Sequence, residues 1–195
     1  LTDSQREAVA RIGVDLASTV PMQRLLQGDV GSGKTVVALI ALLQVVAAGH
    51  QGVFVAPTEV LAEQHAASLR SLLAPLGERA PDVRLLTGST PPAARREIVA
   101  ALASAHPLIV VGTHALFQDG VRVPGLGLVV VLSGSVLGDL GGDGVLVGHV
   151  DHGGVGVGDG LDALGQGDVG DGQDGTGVDA GDIDLDGLGH GDGRG

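Results

Sequence analysis

The chain has 195 residues, enough for one domain or for one domain with a tail. It contains no cysteine, which excludes a disulfide framework and any thiolate metal site. The formal charge is −12, and the whole imbalance sits in residues 132–195: ten Lys+Arg balance ten Asp+Glu up to residue 131, whereas thirteen Asp face one Arg after it.

The first 131 residues alternate between helix and strand patterns. The opening LTDSQREAVARIGVDLAS sets Ala8, Val9, Ile12 and Leu16 at helical spacing, with Thr2 placed as cap and Gln5 three residues on. RLLQ is a short strand. Residues 35–48 form an apolar helix stopped by Gly49. GVFVAP is a buried strand closed by Pro57. An amphipathic helix over 59–73 follows, then the strand DVRLLTG, a helix over 93–104, and the strands PLIVVGT and LGLVVVL. Apolar strands separated by helices of this length predict an α/β fold, a parallel sheet with helices on both faces. With only two Phe and no Tyr or Trp, the core must be aliphatic, and no aromatic platform for stacked bases is available. The longest apolar stretch, residues 36–48, is too short to cross a bilayer, which takes about 20 residues. No segment reads as a signal peptide, so a cytoplasmic chain with no membrane partner is expected.

The chemistry lies between RLLQ and the apolar helix. Gly28, Asp29, Val30, Gly31, Ser32, Gly33, Lys34 and Thr35 spell G-x-x-x-x-G-K-[ST] in full. The three glycines allow a loop tight enough for successive backbone N–H groups to face one concavity. Those donors and the N-terminus of the next helix suit anionic phosphates. Lys34 is placed to reach the terminal phosphates, and the Thr35 hydroxyl to ligate Mg²⁺. Lys34 is also the only lysine in the chain, where every other basic residue is Arg.

PMQRLLQGDVGSGKT resembles the motif I region of the RecG family of ATP-dependent DNA helicases. The resemblance continues through APTEVLAEQH, LLTGS and GTHALFQDGV, in family order and at family spacing, and LTDSQREAV resembles the segment that precedes motif I. It spans residues 1–131 and implies a P-loop, RecA-like ATP-binding lobe. By that resemblance residues 28–35 bind ATP and Mg²⁺, with Lys34 and Thr35 as the catalytic pair and Gln5 helping to recognise the adenine. Thr58, Glu59 and Gln64 would line the path of a DNA strand, and Thr87, Gly88, Thr113 and His114 would track it further. From local chemistry alone, Thr58 is equally a helix cap and His114 an ordinary loop histidine. His65 falls on a helix that could expose it to water. The family function is ATP-driven unwinding and remodelling of branched or fork DNA in recombination and repair, and a monomer is expected.

The departure comes at the end of LGLVVVL. There the family places Asp-Glu-x-His, the acids that hold the magnesium shell and polarise the attacking water. Here Leu132, Ser133, Gly134 and Ser135 occupy those positions. Asp139 and Asp143 are the nearest acids, in Gly-rich chain with no strand end to fix them. The later helicase motifs, the second motor lobe and the wedge domain have no counterpart in residues 132–195. The expectation is therefore a lobe that retains at most nucleotide binding. The alternatives are a non-catalytic nucleotide-binding module, and a calcium-binding acidic segment suggested by GGDGVLVGH, GGVGVGDGL and DIDLDG. His149, His152 and His190 show no metal-ligand framework. Composition shifts abruptly at the join: no Pro, Lys or Glu follows residue 131, and 23 of the 35 Gly do. Residues 132–195 are expected to be a low-complexity, solvated and disordered tail. A change of reading frame near codon 132 would account for a break in the middle of a strand.

Overall fold

The computed structural model describes residues 1–29, 31–117, 120–133, 144–149 and 179–185. Helix α1 (Asp3–Leu16) starts as its sequence predicts. The Gln5 N–H donates to the Thr2 hydroxyl at 3.2 Å, and the Thr2 N–H donates to Gln5 Oε1 at 2.9 Å. This reciprocal cap satisfies two of the first-turn donors that a helix leaves open. Strand β1 (Met22–Gln27) leads through the Gly-rich loop to α2 (Lys34–Ala47). Then come β2 (Gln51–Val55), α3 (Glu59–Leu73), β3 (Val83–Leu86), α4 (Pro92–Ala103), β4 (Ile109–Gly112) and β5 (Leu126–Ser133). Each predicted helix and strand is present within a few residues of its expected bounds.

Within the region expected to be a solvated tail, residues 144–149 and 179–185 depart from that expectation. Gly144–His149 forms β6 and Asp179–Asp184 forms β7. Residues two apart share a face, and Val145 and Val147 of β6, with Ile183 of β7 and Leu185 just after it, lie in the core. DIDLDG, read above as the opening of a calcium loop, begins as extended chain in β7, a geometry that does not wrap an ion. Asp139, Asp143, GGVGVGDGL, His152 and His190 lie outside the described residues.

The seven strands form one sheet in the order β3-β4-β2-β5-β6-β1-β7. The expected parallel pairing holds for β3 with β4, β4 with β2, β2 with β5, and β1 with β7. The exception is β6, which runs antiparallel to both β1 and β5. A right-handed crossover puts a helix on one face when the chain moves one way across the sheet and on the other face when it turns back. From β1 to β2 to β3 the chain moves towards one edge, and α2 and α3 share a face. From β3 to β4 it turns back, and α4 takes the opposite face.

Strand periodicity divides the core accordingly. Phe54, Val111 and Val130 point into a cluster with Ile12, Val37, Leu42, Ala66 and Leu69 from α1, α2 and α3. Val53, Val55, Val110 and Val129 point the other way, towards Ile98 and Leu102 of α4. Gln51 is fully buried, yet its side chain is satisfied. It donates to the carbonyls of Leu102 and His106 at 2.9 and 3.1 Å, and accepts from the Gly125 N–H at 3.2 Å. These bonds tie the end of α4 to the start of β5.

Gly112, at the end of β4, marks a close approach of two strands. A Cβ there would run into the backbone carbonyl of Leu86 and the side chain of Leu116. Backbone cannot yield as a flexible side chain can. Gly112→Ala should destabilise the fold by about 1–3 kcal/mol, read as a lower midpoint in denaturant unfolding with an unchanged slope.

Candidate nucleotide site at the strand ends

All candidate loops leave the same edge of the sheet because their strands run the same way. The Gly-rich loop follows β1, Thr58 follows β2, Thr87 follows β3 and Thr113 follows β4. This carboxyl edge is where open α/β sheets bind ligands.

The phosphate loop is shaped by its glycines. Gly28, Gly31 and Gly33 all have positive φ, at 152°, 90° and 87°. At Gly33 two constraints coincide: the left-handed backbone, and the Gln5 amide lying where a Cβ would project. Gly33 is the N-cap of α2 and makes no side-chain cap bond; its carbonyl accepts the Val36 N–H at 2.9 Å, and no side chain caps the Lys34 and Thr35 N–H groups before it. The Ser32 hydroxyl oxygen is buried and unpartnered among the described residues. Val30 lies outside them. A helix N-terminus without a side-chain cap and an orphaned hydroxyl fit an anionic, oxygen-rich group such as a triphosphate.

Lys34 is 8% exposed. Its ammonium folds back over the loop and donates to the carbonyls of Gly28 and Asp29 at 2.6 and 2.9 Å. Thr35, half-buried, opens the first turn of α2. Asp29 is exposed.

Gln5 does more here than cap α1. Its Oε1 holds the Thr2 N–H, and its Nε2 donates to the Ser32 carbonyl at 2.8 Å. One amide therefore spans the start of α1 and the phosphate loop. The base of α1 is anchored by a second contact that sequence reading missed. The Arg24 guanidinium on β1 grips the Asp15 carboxylate through two bonds, at 2.9 and 3.1 Å, in a half-buried setting. The two residues are nine apart with no periodic relation, so no local pattern announces them.

The residues assigned to a DNA path separate into two groups. Thr58, Gln64, Gly88 and His114 are exposed. Thr58 is also the cap of α3, accepting the Leu61 N–H at 3.3 Å. Thr87 and Thr113 are each 2% exposed and turn inward. The Thr87 hydroxyl bonds Ser89 at 3.0 Å, and the Thr113 hydroxyl accepts the Ala115 N–H at 3.4 Å. Both shape turns. The blocks still converge: Glu59 Oε1 lies over Gly88, 2.8 Å from where a Cβ would stand. Thr90 joins this loop by accepting the Thr87 N–H at 2.9 Å, a hydroxyl that sequence reading did not single out.

The position of Leu132 and Ser133 is also fixed. Strand β5 continues through both, and they pair with Val145 and Gly144 of β6. Leu132 packs on the helix-covered core. No group of three or more acidic, His or Cys side chains that could hold a metal occurs among the described residues. Within the same residues, no helix is long and apolar enough to cross a membrane.

The DEAD/DEAH box helicase family model matches residues 2–131. This chain belongs to that family. Within it, the chain is similar to RecG. It is 50% identical over 139 residues to the ATP-dependent DNA helicase RecG of Mycobacterium leprae, covering 67% of this chain and 19% of that protein. The Escherichia coli K12 RecG is 48% identical over 130 residues, with 67% and 18% covered. A solved structure of RecG bound to a three-way DNA junction superposes with a TM-score of 0.61 at 41% identity, over 66% of this chain and 17% of that one. The chain thus spans about a fifth of the length of these relatives. The match stops at residue 131, two residues before β5 ends, and takes in neither β6 nor β7.

His65 of α3, on a helix that could have exposed it to water, is turned to the core instead. Its ring lies against Phe54, centroids 5.1 Å apart, and is half-buried. Burial lowers its pKa below 6.5 by penalising the imidazolium. Between that lowered value and the unfolded value of about 6.5, the unfolded chain binds more protons. Stability is therefore full above pH 6.5 or so and falls as pH drops through this window. Thermal melts across that range should show the loss, and His65→Leu should remove its share of the slope. At the cap of the same helix, Thr58→Ala should cost about 1 kcal/mol, read by chemical denaturation.

Proposed function

We propose that the lobe binds ATP with Mg²⁺ at residues 28–35, and that the chain as given does not turn it over. The observation that carries the first part is the phosphate loop itself: three glycines with positive φ leading into a helix N-terminus without a side-chain cap, with Lys34 folded over them. When bound, Mg²⁺ would neutralise phosphate charge, with the Thr35 hydroxyl as its protein ligand. Lys34 would transfer its donors from the Gly28 and Asp29 carbonyls to the terminal phosphates. Gln5, already bonded to Ser32, would hold the loop in register while this happens.

The second part rests on Leu132 and Ser133, which stand where the family carries Asp and Glu. Neither can hold a magnesium shell or polarise water. The arginine finger, which in this family comes from a second lobe, is worth about 10³–10⁵ in rate by itself. DNA is the proposed partner of the whole helicase, on the strength of the relatives' names and of the exposed Thr58, Gln64, Gly88 and His114 along the strand ends. Unwinding and remodelling of branched DNA are proposed for the complete protein, in a cytoplasmic, monomeric setting. The join at 131–132 is proposed to mark the end of the helicase lobe.

Titration with Mg-ATP or Mg-ADP should show binding that Lys34→Ala abolishes; equal binding by both proteins would rule out this loop. DNA-stimulated ATP hydrolysis should stay at background. Hydrolysis that survives purification and disappears in Lys34→Ala would overturn the inactive reading.

A further inference from the structure

Strand β6 occupies an unusual place. It lies between β1 and β5, which do not pair with each other, and it runs against both. On one side it pairs with β1 from Gln23 to Leu26; on the other it pairs with β5 from Leu128 to Ser133. Both edges of β6 are therefore filled, and the two halves of the sheet meet only through it.

What the position demands of its occupant is little. Val145 and Val147 are 1% and 0% exposed and complete the core beneath α1 and α2. Its backbone pairs on both sides, and two of the six residues of the segment GVLVGH are glycine. Side-chain alternation fixes which face is buried, but a Gly-rich strand specifies its register weakly. The strand comes from sequence beyond the region that matches the helicase family. Its antiparallel direction also differs from every other pairing in the sheet. These features describe an acceptor that selects for extended chain with two β-branched residues at alternate positions, the selection rule of strand-addition sites.

We propose that the cleft between β1 and β5 is a strand-acceptor site, filled in this chain by its own residues 144–149. The ligand class is an extended peptide presenting Val-x-Val to the core and entering antiparallel to β1. Occupancy in cis keeps two rows of backbone donors and acceptors from being exposed. It assigns the segment after residue 131 a structural role that the nucleotide reading does not require.

The test uses the full chain carrying Val145→Asp and Val147→Asp together. These charges have no partner in the core, so the strand should leave the cleft. The variant should lose its cooperative melt and most of its soluble yield. A synthetic peptide of residues 142–151 should restore both, saturably, whereas a peptide of scrambled sequence should not. A variant that melts like the original chain would overturn the proposal. So would a peptide no better than its scrambled control. Light scattering on the original chain should give a monomer mass; a dimer would mean that the strand is donated by a second copy and would overturn occupancy in cis. Mg-ATP binding by the original chain is measured separately, so failure of either reading leaves the other standing.

Discussion

A strand in the middle of a sheet carries two rows of backbone donors and acceptors, and both must be paired away from water. In this fold that constraint falls hardest on β1. It carries the phosphate loop at its carboxyl end, and its neighbours decide whether that end is held still. One neighbour, β7, runs alongside from Met22 to Gln27, and the Leu185 N–H reaches the Gln27 carbonyl at 2.9 Å, one residue before the loop. The other, β6, bridges β1 to the remaining strands. The geometry of the nucleotide site therefore rests on chain far away in sequence and quite different in composition.

Helices α1 and α2 supply the second layer of support. They lie side by side with their N-termini at the same end, as the Gln5–Ser32 bond at one end and the approach of Gly13 to Gln44 further along require. Parallel neighbours place two positive dipole ends together. Thr2, Gln5 and Asp3 already offset the α1 end, and an anion at the phosphate loop would offset the other. The Arg24–Asp15 pair holds α1 against β1 and keeps that alignment.

The helicase lobe was largely legible in the sequence because its signals are local. Thr2 and Gln5 form a capping box at fixed spacing, alternating and continuous apolar runs mark β2, β4 and β5, and the phosphate loop is a contiguous motif. What could not be read was non-local or composition-masked. The inward turn of Thr87 and Thr113 depends on the hydroxyls and amides that follow them. The burial of His65 depends on Phe54, eleven residues earlier on another element. Strands β6 and β7 were hidden because a Gly- and Asp-rich background lowers every propensity signal. Only the alternation of Val145 with Val147, and of Ile183 with Leu185, carried their pattern, too briefly to stand out.

The folded-back Lys34 would give the proposed nucleotide binding the character of an exchange. The ammonium has two good acceptors in the Gly28 and Asp29 carbonyls. A phosphate would have to displace the Gly28 and Asp29 carbonyls, which would then turn to water or to other donors. The measured affinity would report the difference between two sets of bonds and understate the strength of either. Because the lysine is held in place beforehand, little side-chain freedom remains to be lost on binding. The loop is a site whose tenant changes while its furniture stays where it is.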